Sequence, residues 1–377
     1  GLNAFFAYTV VLGMGYTYGQ ALVIVFISGI FFIVITAIGL REAIIRSIPD
    51  AVKTAITPGI GLFITIIGLK NAGIVIANPA TLVSLVDFSQ WKAEGADMAL
   101  INGALVALLG LVTMGILHAR KVKGSILLGI VAATLIGIPL GITHISNLDM
   151  NIAVKFQDFA EVSFMKMDFA GLFAGGNFIE TLFMVTMLVI SFSLVNMFDS
   201  IGTLLGAAKQ SGMIDENGEV IHMKQALMSD AISTAAGAMV GTSTVTTVVE
   251  SSAGIAAGGR TGLTSLVTAV MFLAAIIFVP VVSIIPAAAT APALIFVGIL
   301  MLGNIRDVDF SDMSNALPAF CTIVFMPFTY SIANGVAFGL ITYCLMKLTT
   351  GRKQDVKVLT LMISAVFIVR YAFMTLG

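Results

Sequence analysis

The chain has 377 residues, 58% of them hydrophobic and only 10% charged, with a net charge of −1 and a mean hydropathy of +1.06. Soluble domains carry about 25% charged residues, so this composition excludes an ordinary water-soluble fold and fits a multi-pass protein of the cell (inner) membrane. The near-zero charge argues against nucleic acid as a partner and for a neutral or weakly charged cargo.

The apolar segments are long and unbroken rather than alternating, so the spans are helices in a lipid bilayer, not barrel strands. Residues 1–18 form a short apolar segment interrupted by glycines, with Asn3 near its start. Residues 20–40 make a full span ending at Arg41. The following REAIIRSIPDAVK is an amphipathic, basic connector expected on the cytoplasmic surface. Residues 54–69 span, 71–97 form a net acidic loop with the sole tryptophan Trp91, and 98–117 and 124–141 span on either side of the basic HARKVK. The positive-inside rule puts 41–53 and 118–123 in the cytoplasm and 71–97 and 142–172 outside. Pro49, Pro58, Pro286 and Pro292 read as helix starts or kinks.

Residues 173–206 carry a long helix ending in the polar cluster SLVNMFDSIGTLLG, with Asn196, Asp199 and Thr203. Residues 224–240 are rich in alanine and glycine, which suits close helix contact. Next comes GTSTVTTVVESSAGIAAGGRTG, residues 241–262, whose Glu250 has almost only small and apolar neighbours. An acid at membrane depth is costly and marks a cavity or ion path. Thr242, Ser243 and Thr244 read as an extended lead-in to a short helix starting inside the membrane, an arrangement that binds solutes in transporters. Residues 263–285 and 287–303 span. Residues 318–348, with Pro327 and a polar run at 329–334, read as a hairpin of two short helices, since both flanks carry basic, cytoplasmic residues. For 357–377, apolar but holding Arg370, both a span and a partly embedded helix stay open.

Neither Cys321 and Cys344, both in apolar spans, nor His118, His144 and His222, in separate loops, has disulfide or metal-ligand spacing. No metal site and no cofactor is expected, and no nucleophile–base pair suggests an enzyme.

The chain also repeats itself. Ser47-Ile-Pro49 and the stretch to Asn71 echo Ile284-Ile-Pro286 and the stretch to Asn304, each preceded by a span and a glycine-broken segment. The copies are offset by roughly 235–240 positions. Interrupted segments at matching places in two halves point to a transporter's binding site. The second copy has two further helices before its broken segment, so two helices of the first copy are expected upstream of Gly1. Seven helices per copy is an odd number, which inverts one repeat relative to the other.

GLNAFFAYTVVLG, LVNMFDSIGTLLG and GTSTVTTVVESSAGIAAGGRTGLTS resemble, in that order, the AzgA-like purine (guanine/hypoxanthine/adenine) permeases of the nucleobase–cation symporter family. The resemblance implies an all-α polytopic membrane protein with the uracil permease fold: a 7+7 inverted repeat whose two broken helices have short extended lead-ins. Core segments would be 1–40 and 173–283, and gate segments 41–141 and 284–377, with 142–172 an external loop. It implies import of a purine base (hypoxanthine, guanine or adenine) with a proton, sodium being the other option, and leaves a homodimer open.

The resemblance places Asn3 on the polar position of the first broken segment, Glu250 on the acid of the second and Asp199 on the acid of the eighth helix. Asp199-Ser-Ile-Gly-Thr203 is similar to the acid-x-x-Gly-His pattern of uracil permeases, with Thr203 in place of histidine. Asn196 stands where some fungal members have a second acid. A flat, neutral base needs an acceptor carboxylate, an amide and exposed backbone N–H groups. The expected substrate shell is Glu250, Asn3, Asp199, Asn196, Thr203, Phe5, Thr244 and Val249. Phe5, Phe6 and Phe198 are the candidate stacking rings, although helix packing is the plainer role for each. A low-dielectric site favours a neutral carboxyl group unless it is paired, so Asp199 and Glu250 are the candidates for proton coupling. An anion transporter or channel of the same fold, or a symporter for xanthine or uracil, are the competing readings. The anion reading lacks a basic residue in the site. Arg260, in GGRTG, reads as a cytoplasmic turn.

Overall fold

The computed structural model describes residues 2–91, 97–144, 157–174, 178–213, 215, 220–248, 251–256, 258–278, 282 and 284–376. A helical turn, Leu2–Ala4, runs into a π-helical stretch, Phe5–Gly13. Then come α1 (Tyr18–Ala37), α2 (Leu40–Ser47), α3 (Asp50–Asn71), strands β1 (Val75–Asn78) and β2 (Leu82–Leu85), α4 (Met98–Ala119) and α5 (Ser125–Gly137). The later helices are α6 (Phe169–Phe173), α7 (Phe178–Ser211), α8 (Met223–Val240), α9 (Ser251–Ala256), α10 (Gly262–Ala275), α11 (Ala287–Leu302), α12 (Met313–Phe328), α13 (Ile332–Thr349) and α14 (Val358–Leu376). Among the described residues, four helical stretches are long and apolar enough to cross a membrane unaided: α1, α3, α4 and Ala287–Asp307.

The contacts divide the chain into two compact units. One holds Gly1–Gly59, Ala153–Leu266 and Ile305–Gly377; the other holds Ile60–Ile152 and Val267–Asn304.

In the first unit α1 begins at a capping box. Thr17 Oγ1 accepts from the Gln20 backbone N–H, and Gln20 Oε1 accepts from the Thr17 N–H at 3.0 Å. Helix α1 lies against α8 so closely that a Cβ on Gly29 would stand 2.6 Å from the Ala235 backbone nitrogen. Small residues at this crossing let the two backbones meet, as the alanine and glycine content of 224–240 led one to expect. Helices α12 and α13 form the expected hairpin, although its first helix starts at Met313 rather than 318. Helix α14 is tied to α2, with Thr360 Oγ1 donating to the Ser47 carbonyl at 2.6 Å. The long helix expected over 173–206 runs instead from Phe178 to Ser211.

In the second unit α4 packs on α5 and α11 around Ala104, Ala107, Ala291 and Ile295. The acidic stretch after α3, expected as loop, holds an antiparallel β-hairpin in register Val75↔Leu85 to Asn78↔Leu82. Asn78 Oδ1 accepts from the Ala80 N–H at 2.8 Å and closes the turn. Ile74 and Val86, flanking the hairpin, are buried in the same core.

Candidate functional site

The glycine after α8 decides where the 242–248 segment goes. Gly241 ends the helix with φ +91°, the left-handed conformation glycine tolerates best. A Cβ there would run into the Ser163 carbonyl, while Tyr18 Oη donates to the Gly241 carbonyl at 2.8 Å. From Thr242 to Val248 the chain is irregular, so the lead-in expected at Thr242–Thr244 runs four residues further, and the six-residue α9 begins at Ser251.

This lead-in is held on two sides. Ser243 Oγ donates to Asn3 Oδ1 at 2.6 Å, so the two glycine-broken segments meet across 240 positions of sequence. On the other side, Thr234 of α8 donates to the Val245 carbonyl at 3.0 Å, and Asn196 Nδ2 of α7 donates to Thr234 Oγ1 at 3.2 Å. Thr203 and Thr247 join their hydroxyls at 2.5 Å. Of the residues expected at the site, the structure therefore gathers Asn3, Asn196, Thr203 and Thr244 around one segment. Thr244 is 6% exposed, and its Oγ1 has no hydrogen-bond partner among the described residues. Glu250 and Val249 lie outside the described residues, and so do the side chains of Phe5, Phe198 and Asp199. Phe6 is buried with its ring edge-on to Tyr18 at 5.4 Å, which is packing. Arg260 donates to the Ile255 carbonyl at 2.6 Å and closes the end of α9.

Beneath the lead-in lies an ion pair that sequence reasoning missed. Arg41, expected on the cytoplasmic surface, is fully buried, and its Nη2 meets Asp230 Oδ2 of α8 at 2.6 Å. Arg41 Nη1 also donates to the Leu227 carbonyl at 3.0 Å, and the guanidinium stands 4.4 Å from the centre of the Phe32 ring. Asp230 accepts further from Ser200 Oγ at 2.8 Å and from Thr246 Oγ1 at 2.9 Å. The sequence signal was present in one half only: Asp230 is an acid inside an alanine-rich helix, and such acids have partners.

A family model described as the permease family matches residues 1–338. The chain belongs to this permease family. Adenine permease AdeP of Escherichia coli K12 is 38% identical over 373 residues, covering 99% of this chain and 78% of the relative. Guanine/hypoxanthine permease PbuO of Bacillus subtilis is 37% identical, covering 98% of this permease and 82% of the relative. Putative permease MJ0326 of Methanocaldococcus jannaschii is 41% identical, covering 100% and 81%. The resemblance to purine permeases is thus shown, and the permease is a membrane transporter, not an enzyme. Among solved structures, the transmembrane domain of the cyanobacterial bicarbonate transporter BicA is similar in fold, with TM-score 0.59 at 16% identity over 92% of this chain and 80% of that one. That likeness speaks to fold alone.

Proposed function

We propose that this permease is a secondary active transporter that imports purine nucleobases, guanine, hypoxanthine or adenine, together with protons. The observation that carries this reading is similarity to adenine and guanine/hypoxanthine permeases along essentially the whole chain. The contact between Asn3 and Ser243 supports a substrate place at the meeting of the two broken segments. In this reading Glu250 accepts from a ring N–H of the base, and Asn3 and Asn196 meet its carbonyl or ring nitrogen. The Thr244 hydroxyl has a hydrogen bond to offer. Stacking on Phe5 would add about 1–3 kcal/mol if it matched base–aromatic contacts elsewhere. Asp199 carries the coupling proton, with Thr203 and Val249 completing the wall. Transport proceeds by alternating access of the core (1–40 and 173–283) against the gate (41–141 and 284–377). Arg41, at the edge between these segments, moves with the core because it is bound to α8.

The test is uptake of labelled hypoxanthine in cells lacking their own purine uptake, challenged with unlabelled guanine, adenine, xanthine and uracil, with and without a protonophore. Saturable entry that purines compete and the protonophore abolishes is the expected result. Well-folded protein at the membrane with no purine entry would sink the reading. In the same cells Asp199→Asn should still bind purine but lose acceleration by a proton gradient. Loss of binding alone would move the proton to another group.

A further inference from the structure

We infer that Arg41 is a positioning residue for transport, acting through Asp230 and Thr246 on the segment that lines the substrate place. The inference rests on the reading of 242–248 as part of that place. The chain of contacts is short. Arg41 holds Asp230 at 2.6 Å, and Asp230 receives Thr246 at 2.9 Å through its other oxygen. Ser200 of α7 donates to the arginine-bound oxygen at 2.8 Å and lies 3.0 Å from the Thr246 hydroxyl. One carboxylate therefore gathers an arginine from α2, a serine from α7 and a threonine from the lead-in, all on α8. The guanidinium is fixed in turn by the Leu227 carbonyl, one helical turn before Asp230, and by the face of Phe32 on α1.

This geometry does more than neutralise a buried charge. An irregular segment has no ladder of its own to set its position, so its side-chain anchors must do so. Thr246 is one such anchor, two positions beyond Thr244 and four before Glu250. Loss of the guanidinium leaves Asp230 a buried carboxylate short of its cationic partner, which then competes for the hydrogens of Ser200 and Thr246 in a new geometry. The segment shifts, and the groups that meet the base shift with it. Small misplacements of binding groups are costly in recognition.

The experiment compares the full chain with Arg41→Gln, Thr246→Val and the double variant. Uptake of labelled hypoxanthine is normalised to folded transporter recovered from the membrane. Each single variant is expected to raise the half-saturation concentration about tenfold, and the double variant no further than the worse single one, because both cut the same line of contacts. An arginine that only stabilises the fold would lower the amount of folded protein and leave the half-saturation of the remainder unchanged. That result, or single effects that multiply in the double variant, overturns the inference. If Arg41→Gln yields no folded protein, Thr246→Val, which leaves the ion pair whole, decides alone: unchanged half-saturation overturns the inference. A second arm needs no purine. Ser243→Cys, made together with Cys321→Ser and Cys344→Ser, is modified with a small methanethiosulfonate, and adding Arg41→Gln should change the rate several-fold. An unchanged rate overturns the inference whatever the cargo. A changed rate in a transporter that carries no purine would support the positioning role and sink only the purine reading.

Discussion

Asp312 shows how a single carboxylate can start a helix and carry a pH signature. Its Oδ1 accepts from the Ser314 backbone N–H at 3.0 Å, and its Oδ2 accepts from Arg352 at 2.6 Å and from the Ser314 hydroxyl at 2.9 Å. The Ser314 N–H first, then Arg352 and the Ser314 hydroxyl, bring its pKa from 3.8 down to about 2. A depressed folded pKa means that protonation favours the unfolded chain. The contribution is therefore full above pH of about 4 and is lost as pH falls through about 2. Asp312→Ala should lower the thermal unfolding temperature in an acid-stable detergent at pH 6, with the gap to the parent narrowing toward pH 2.5. A gap constant across that range would mean the carboxylate charge contributes nothing. The contact with Ser314 is a local one, since Asp-x-Ser before an apolar run is a helix start, although reading the helix from 318 passed over it. The contact with Arg352, 40 positions away, is not local. Arg41 and Asp230 lie 189 positions apart, and no local rule joins them. The positive-inside rule reads an arginine at the end of a span as a surface anchor, and this one turns inward because α8 offers a carboxylate at its depth.

Between elements, the contact of α1 with α8 carries the sharpest steric constraint. A Cβ on Gly29 would stand 2.6, 2.8 and 2.9 Å from the N, Cα and Cβ of Ala235, so the obstacle is backbone and cannot rotate away. Even Gly29→Ala should force the helices apart, lowering the unfolding temperature of the purified protein and the amount recovered from membranes. Gly115 in α4 has open space around it, and Gly115→Ala should be neutral or slightly stabilising, since alanine favours a helix by about 1 kcal/mol over glycine. Equal losses in both variants would show that helix propensity, not the crossing, was measured. The long helices were legible because twenty apolar residues in a row have few other options. The β-hairpin was missed although VIAN and LVSL flank an Asn-Pro turn, because an acidic, externally placed loop was read by its charge alone. An irregular lead-in at Thr242–Thr244 was expected from its hydroxyls, but its continuation to Val248 was not. Which hydroxyl binds which helix was not expected either, because that depends on the crossing of α7 and α8.

The largest-scale feature open to direct measurement is the path of the chain through the membrane, and the second unit offers a self-contained test. Helix α4 separates the hairpin β1–β2 from the basic residues after Ala119, and its 22 residues at about 1.5 Å each reach some 33 Å, enough to cross a hydrocarbon core of about 30 Å. Lys121 and Lys123 follow it, while Asp87 lies on the hairpin side, with its pKa lowered mainly by the Ser89 hydroxyl and N–H. Lys92 is the one basic residue shortly before the helix, against Arg120, Lys121 and Lys123 just after it. An excess of basic residues at one end orients a helix with that end in the cytoplasm. Val83→Cys, at a site 54% exposed, should therefore react with a membrane-impermeant maleimide in intact cells. Lys123→Cys should react only after permeabilisation. The native Cys321 and Cys344 are both buried, so their background labelling should be low. If both sites labelled from outside, α4 would be re-entrant rather than spanning. The odd number of crossings per copy expected from the sequence would then be lost, and with it the expectation of an inverted repeat. If the labelling divides as expected, the second unit has the orientation that such a repeat requires.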